Sequence, residues 1–187
     1  MIKKTYFLGL LSLVLAFCGC AKKSPVVKLQ TTMGDIVIEL CNREAPNTVK
    51  NFLAYVESGY YDGIIFHRVI PGFMIQTGGF TVDMEQKPAN AAIKNEFKIS
   101  NTRGTVAMAK VGGDPDSATC QFFINVADNS MNLDNQNGGF TVFGRVIEGM
   151  DVADKIVNVQ TQILPNGMGD VPMEPVIINK AILVTNN

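Results

Sequence analysis

The sequence predicts a mainly β fold, a closed barrel or a sandwich of about eight short strands with two helices. Short apolar runs bounded by Gly, Pro, Asn and Asp recur from residue 26 onward, which is typical of such folds. Two segments instead space their apolar residues three and four apart, as amphipathic helices do. A chain of 187 residues, 47% hydrophobic and with a net charge of −1, suits one globular domain rather than a disordered chain.

The predicted elements follow one another with short connections at first. Two strands, residues 27–31 and 36–40, flank Gly34-Asp35 as a tight hairpin. Pro46 then opens an amphipathic helix, since proline is favoured in a first helical turn. Six further strands are expected at residues 64–70, 73–76, 105–109, 120–126, 141–146 and 175–184, a second helix at 150–157, and long polar loops at 78–103 and 127–139.

The first twenty residues have the composition of an export signal. Lys3 and Lys4 form a positive start, and residues 6–17 are an almost unbroken apolar run. A run of this length is too short for a stable membrane span and is typical of a signal-peptide core. The sequence therefore predicts export.

A candidate lipid attachment site follows the apolar run. Gly19-Cys20, a small residue before a cysteine, resembles the cleavage site of bacterial lipoproteins, where the cysteine becomes the lipidated first residue. A soluble secretory signal cut near Gly19 or Ala21 is the alternative. The protein is thus expected on the periplasmic side of a bacterial cell envelope, lipid-anchored to a membrane, or soluble in the periplasm under the alternative. We expect a signal peptide at 1–19, a lipidated tether at 20–25 and one domain at 26–187.

Several common chemistries lack the residues that they need. His67 is the only histidine, and the chain has no Cys-x-x-Cys, Gly-x-Ser-x-Gly or phosphate-loop motif. We therefore expect no metal site and no thiol-redox or serine-hydrolase chemistry. Nothing in the charge pattern indicates a nucleic-acid partner. Cys41 and Cys120 are expected to be small apolar residues, with a disulfide as the alternative.

One segment combines polar and apolar residues unusually. Residues 66–76 read Phe-His-Arg-Val-Ile-Pro-Gly-Phe-Met-Ile-Gln, so that Arg68 stands inside an apolar strand. An arginine in such surroundings must be paired or must face a wet cleft. These residues alone leave open a cleft residue or a structural arginine bound to backbone carbonyls.

Three segments resemble the motifs of the cyclophilin family of peptidyl-prolyl cis-trans isomerases. Residues 66–76 match its signature Phe-His-Arg-x-Ile-x-Gly-Phe-Met-x-Gln at every specified position. Gln-Phe-Phe-Ile at 121–124 after Met-Ala at 108–109 resembles the second motif, and Leu-Asp at 133–134 with Val-Phe-Gly-Arg-Val at 142–146 resembles the third. The resemblance implies an eight-stranded antiparallel closed barrel capped by two α-helices, in agreement with the elements above.

The resemblance also implies an activity and its residues. The chain would accelerate X-Pro isomerisation in exported proteins and assist their folding, with Arg68 stabilising the twisted amide and Gln76 orienting it. No cofactor or metal is implied. The partners would be proline-containing polypeptides, together with a membrane reached by the lipid, and the protein would be a monomer. The implied substrate-binding residues are Phe66, His67, Phe73, Met74, Ala109, Gln121, Phe123 and Leu133.

Some positions allow a second interpretation. Phe66 and His67 could equally be core residues. Asn132 stands where many family members have Trp, Lys110 where Asn is frequent, and Phe140 where His or Tyr is common; these three are expected at the cleft edge, where they would alter affinity and sequence preference. Two alternative functions remain, a proline-binding module or holdase without catalysis, and a structural envelope lipoprotein.

Overall fold

A nine-stranded antiparallel sheet dominates the computed structural model, which describes residues 24–184. Two helices cover its ends, and a third, one-turn helix precedes a polar loop. A separate pair of two-residue strands lies beside the sheet. The elements are β1 (Val26–Thr31), β2 (Gly34–Leu40), α1 (Pro46–Glu57), β3 (Ile64–Ile65), β4 (Arg68–Ile70), β5 (Met74–Thr77), β6 (Thr105–Met108), β7 (Phe122–Asn125), α2 (Ser130–Leu133), β8 (Val142–Glu148), α3 (Met150–Val157), β9 (Thr161–Gln162), β10 (Val171–Pro172) and β11 (Ile177–Val184).

The sheet curls strongly because its two edge strands come from one segment. In the strand order β3-β11-β1-β2-β8-β6-β7-β5-β4, both β3 and β4 are edges, and only Phe66 and His67 separate them. Backbone bonds from Ile65 N to Phe80 O (2.9 Å) and from His67 N to Gln76 O (3.1 Å) bind the intervening segment to the chain around β5. The predicted mainly β, barrel-like architecture is confirmed.

The structure differs from the expected closed barrel in one respect. The sheet is open, because the expected strand at 64–70 divides into β3, which pairs with β11, and β4, which pairs with β5. The division raises the strand count from the expected eight to nine. No Gly or Pro interrupts residues 64–70, so the sequence carries no turn signal for such a change of partner.

The first hairpin turns earlier than predicted. Thr31 pairs with Gly34, so the turn is at Thr32-Met33 rather than at Gly34-Asp35. The Thr31 hydroxyl donates to Gly34 O (2.6 Å) and accepts from Met33 N (3.1 Å), which closes the turn. This register brings Leu29 opposite Ile36, both fully buried, and a shift of one residue would turn them to the solvent face.

The two main helices cover the core as their apolar spacing predicted. Val49, Phe52 and Val56 of α1 are buried, and α3 matches its predicted bounds. No side chain next to α1 in sequence caps its first turn. Instead the Glu96 carboxylate, from the long loop before β6, accepts from Asn47 N (3.2 Å) and Thr48 N (2.8 Å). These bonds satisfy N–H groups that a helix start leaves free.

The core is built around an aromatic cluster. Phe52, Tyr61, Phe122 and Phe143 lie within 4.9–6.3 Å of one another, measured between neighbouring ring centroids. Each of the four is fully buried. Such rings contribute about 0.5–1.5 kcal/mol per pair beyond the area that they bury.

The predicted leader lies almost wholly outside the described residues. The signal peptide at 1–19 and Cys20 are not among them, and of the tether only Ser24 and Pro25 are. Between residues 24 and 184 no helix is long and apolar enough to cross a membrane. Cys41 and Cys120 form no disulfide; Cys120 is buried and Cys41 is half-buried.

Candidate active site

A cleft of about 340 Å³ lies on one face of strands β4, β5 and β7. Alternation along the strands selects its walls. Met74 and Gln76 of β5 and Phe123 of β7 line it, whereas Ile75 and Phe122 point into the core. The full lining is Arg68, Phe73, Met74, Gln76, Ala109, Lys110, Phe123, Leu133, Gln136 and Phe140.

Seven of these ten residues were predicted as site residues. Both residues expected to be catalytic, Arg68 and Gln76, are present, directly opposite each other in the β4–β5 ladder. Lys110 and Phe140, expected at the cleft edge, also line the cavity. Sequence reasoning missed Gln136, because it lies in a polar loop where nothing in its neighbours distinguishes one amide residue from another.

Arg68 is the one cation of the β4 strand, and its side chain is 42% exposed. Its Nε lies 3.5 Å from the carboxylate of Asp170. Asp170 itself is held in a left-handed conformation (φ 59°), and its carbonyl accepts from Val69 N at 2.9 Å. Asp170 therefore contacts this segment twice: its carboxylate pairs with the Arg68 guanidinium, and its carbonyl binds the backbone of the next residue, Val69. Sequence reasoning missed Asp170 because 102 positions separate the partners.

Gln76 and Gln121 form a pair beside the arginine. Gln76 Nε2 donates to Gln121 Oε1 at 2.9 Å. Gly79 leaves room for Gln121, since a Cβ at this glycine would lie 2.6 Å from Gln121 Nε2. Gln121 lines not the main cleft but an adjoining cavity of about 170 Å³, which shares Gln76, Ala109 and Lys110 with it.

Phe66 and His67 do not line the cleft. Phe66 is fully buried in the main core, and His67 is 4% exposed with its ring 4.7 Å from that of Phe80. The Nδ1 atom of His67 has no hydrogen-bond partner within residues 24–184. Burial, and then the charge of Arg68, lower the pKa of His67 to about 4, so the ring is neutral at pH 7. The structure therefore places both residues behind the site.

A buried polar network fixes the cleft walls from behind. Asn129 Nδ2 donates to Phe73 O (2.8 Å) and to Asn125 Oδ1 (2.7 Å), and Asn125 Nδ2 donates to Asn101 Oδ1 (3.2 Å). Asn101 Nδ2 in turn donates to Phe140 O (3.0 Å). Two opposite wall segments, at Phe73 and Phe140, are thus joined by side-chain hydrogen bonds. No three His, Cys, Asp or Glu side chains within the described chain come together as metal ligands.

The family's sequence profile covers the whole described domain. The profile described as "Cyclophilin type peptidyl-prolyl cis-trans isomerase/CLD" matches residues 26–182. The chain belongs to the cyclophilin-type peptidyl-prolyl cis-trans isomerase family. The membership inferred from the three sequence motifs is thereby confirmed.

Relatives from distant organisms are similar along most of this cyclophilin-type chain. It is 52% identical over 162 residues to a "Peptidyl-prolyl cis-trans isomerase" of Acinetobacter baylyi, covering 84% of this chain and 85% of that protein. It is also 52% identical to "Peptidyl-prolyl cis-trans isomerase B" of Escherichia coli, covering 82% and 96%. A crystal structure of a cyclophilin-type isomerase from Cryptosporidium parvum superposes with a TM-score of 0.72 at 27% identity, covering 88% and 99%.

Proposed function

We propose that this cyclophilin-type domain accelerates rotation about X-Pro peptide bonds in polypeptides, with Arg68 as the residue that stabilises the twisted amide. The observation that carries the proposal is the placement of one guanidinium at the edge of a cleft, beside a surface formed by apolar side chains. Phe73, Met74, Phe123 and Leu133 offer a surface for a proline ring. The name of the family and those of its relatives support the same reaction.

The reaction requires little more than one hydrogen-bond donor placed beside the proline nitrogen. Rotation about a peptide bond has a barrier of about 18–20 kcal/mol because resonance gives the C–N bond double-bond character. In the twisted state the proline nitrogen regains its lone pair and can accept a hydrogen bond. A guanidinium held at that position binds the twisted amide better than the planar one, and this difference in binding lowers the barrier. No covalent bond is formed or broken.

The glutamine pair would hold the substrate backbone. Gln76 donates one N–H to Gln121, which leaves the second N–H of Gln76 for the peptide. Because Gln121 lines the adjoining cavity, the pair lies where an extended peptide would pass from the main cleft to that cavity. We propose that Gln76 orients the amide beside Arg68, and that Gln121 and Ala109 contact the flanking backbone.

An isomerisation assay on X-Pro peptides tests the proposal directly. The wild-type protein should be active, and Arg68→Ala should lower kcat/KM by roughly 10²–10³-fold, the scale for removing one preorganised donor. Peptide affinity should change much less, since the apolar walls remain. Arg68→Lys keeps the charge but loses the planar fork, so it should recover only part of the activity.

A melting curve for each Arg68 variant separates chemistry from folding. Unchanged stability with lost turnover supports the mechanism. Near-wild-type turnover in a well-folded Arg68→Ala protein would falsify it and favour a proline-binding module. A loss of activity that only follows a loss of stability would mean that Arg68 is structural.

We further propose that the enzyme acts as a monomer on proline-containing proteins in a bacterial cell envelope and assists their folding. The support is the export-signal composition of residues 1–19 and the Gly19-Cys20 pair, which would make residues 20–25 a lipidated tether for the domain at 26–187. Two or more acyl chains suffice for stable anchoring. Cell fractionation of the wild type and Cys20→Ser tests this: the wild type should follow the membrane and the variant should not. A wild type already in the soluble periplasmic fraction would favour the secretory alternative.

A further inference from the structure

Lys110 stands at the partition between the two cavities. It lies two residues after the end of β6 and lines both the main cleft and the adjoining cavity, together with Gln76 and Ala109. Ala109 N donates to Gln121 O at 2.9 Å, which fixes the backbone just before the lysine. Any extended peptide that occupies both cavities must therefore pass this side chain.

The ammonium group of Lys110 is held in place by neutral groups. Its Nζ donates to Asn137 O (2.7 Å) and Gly139 O (2.8 Å), and it lies 4.6 Å from the ring centroid of Phe140. A third carbonyl, of Gln136, is 3.5 Å away, at the limit of a hydrogen bond. The third N–H makes only this long bond, so a carboxylate at shorter range can replace the Gln136 carbonyl as its acceptor. Because the side chain is already ordered, binding through it costs less entropy than binding through a free lysine.

The charge of Lys110 has no counter-ion, in contrast to that of Arg68. Among the ion pairs within residues 24–184, Arg68 has Asp170, whereas no carboxylate oxygen lies within 4 Å of Lys110 Nζ. The nearest acidic residues, Asp114 and Asp116, are turned to backbone N–H groups at 2.9 Å. Partial burial lowers the pKa of Lys110, and these two acids raise it by a smaller amount. The cleft therefore presents one ordered, unpaired cation.

We propose that Lys110 is a specificity-determining residue that selects X-Pro substrates carrying a carboxylate side chain next to the proline. This inference rests on the proposed isomerase function. With the proline ring against Phe73 and Met74, a flanking residue lies toward the partition, where a Glu or Asp side chain can accept a charge-assisted bond from the third, weakly bonded N–H of Lys110. The same bond would offset the unpaired charge.

The test is a matched series of proline peptides in which each flanking position in turn is Glu or Gln. Isomerisation is followed by NMR exchange and affinity by calorimetry, so that the preference is measured even in a variant with little turnover. For the wild type, we expect one position at which Glu is favoured over Gln by about two- to fivefold, the upper part of the range for a partly exposed charge contact. High salt should reduce this Glu/Gln ratio, because ions screen the charge contact.

Variants of Lys110 test whether this residue causes the preference for Glu over Gln. Lys110→Met should bring the Glu/Gln ratio to about one, with Lys110→Gln as a second neutral variant, and Lys110→Glu should invert it. Lys87→Met is the matched control: Lys87 also donates to a carbonyl (Tyr60 O, 2.5 Å) and lies over an aromatic ring (4.5 Å), but it lines neither cavity. It should keep the wild-type ratio.

Three outcomes would overturn the inference while leaving the isomerase proposal intact. A wild-type ratio near one at every position means that the cleft ignores acidic side chains. If the Glu/Gln ratio is unchanged in Lys110→Met, another cation causes the preference. If Lys110→Met lowers activity equally for all peptides, Lys110 only positions the cleft wall. Failure of the isomerase proposal is distinct, since no peptide would then be turned over.

Discussion

The two faces of strands β4, β5 and β7 differ in what they do. Toward the core, Phe122 contacts three aromatic rings and is fully buried. Toward the cleft, its neighbour Phe123 contacts one ring, that of Phe140 at 5.8 Å. In the same way, His67 is buried while Arg68 beside it is 42% exposed. One face stabilises the sheet, and the other leaves space for a ligand at some cost in packing.

Truncating the two phenylalanines is the strongest test of this division. Phe122→Ala should lower the free energy of unfolding by about 3–5 kcal/mol, the usual cost of removing a buried aromatic ring, while the folded fraction keeps its kcat/KM. Phe123→Ala should lower stability less and raise KM, because it removes part of the proline surface. Urea unfolding and isomerisation kinetics on both variants measure the two effects. Equal losses of stability and equal kinetics would show that the faces are not distinct.

The free energy of unfolding should depend on pH through the protonation of the buried His67. Its folded pKa of about 4 lies below the ordinary value of 6.5, so the unfolded chain takes up the proton first. Stability is therefore complete above pH 6.5 and falls as the pH drops from 6.5 to 4, by about 3 kcal/mol at 1.36 kcal/mol per pKa unit. His67→Phe should not show this loss.

Urea unfolding of both proteins between pH 4 and 7 gives the difference directly. His67→Gln serves if the phenylalanine ring does not fit. Parallel stability curves for wild type and variant would show that the His67 pKa is not lowered. Losses common to both proteins below about pH 4 belong to hydrogen-bonded carboxylates such as Glu96, whose bonds to Thr48 and Asn47 outweigh its burial and lower its pKa.

The smallest effect is expected on the cleft side, at Asp170. Asp170→Asn keeps the side-chain size and tolerates the left-handed backbone but removes the charge facing Arg68. A half-exposed ion pair is worth no more than about 1 kcal/mol, so kcat/KM should fall by up to about fivefold. If Asp170 orients the guanidinium, the loss should appear in kcat rather than in KM. An unchanged kcat would mean that Arg68 is oriented by the peptide alone.

Much of this division could be predicted from the sequence. The eleven residues 66–76 and the later Met-Ala, Gln-Phe-Phe and Leu-Asp motifs identified the family and seven of the ten cleft residues. The helices at 46–57 and 150–157 followed from their apolar spacing. The one-turn α2 and the short pair β9–β10 were not predicted, because two to four residues are too few to show a period.

The assignment of Phe66 and His67 shows where motif reasoning ends. Both stand in the signature beside Arg68, but Phe66 lies in the main core and His67 is buried against Phe80, in the two-residue segment between β3 and β4. Membership of a motif reports that a residue is required. It does not say whether the residue contacts substrate or holds the strand that does.

The sequence by itself determined the class of fold, the two main helices and the family, because these depend on short-range periodicity and on residue types within a few positions. Only the tertiary structure decided that Asp170 faces Arg68, that Glu96 caps α1, that Asn129 holds Phe73, and that the charge of Lys110 is left without a counter-ion. Each of these depends on which distant segments the curled sheet brings within about 3 Å. Neither periodicity nor composition encodes that distance.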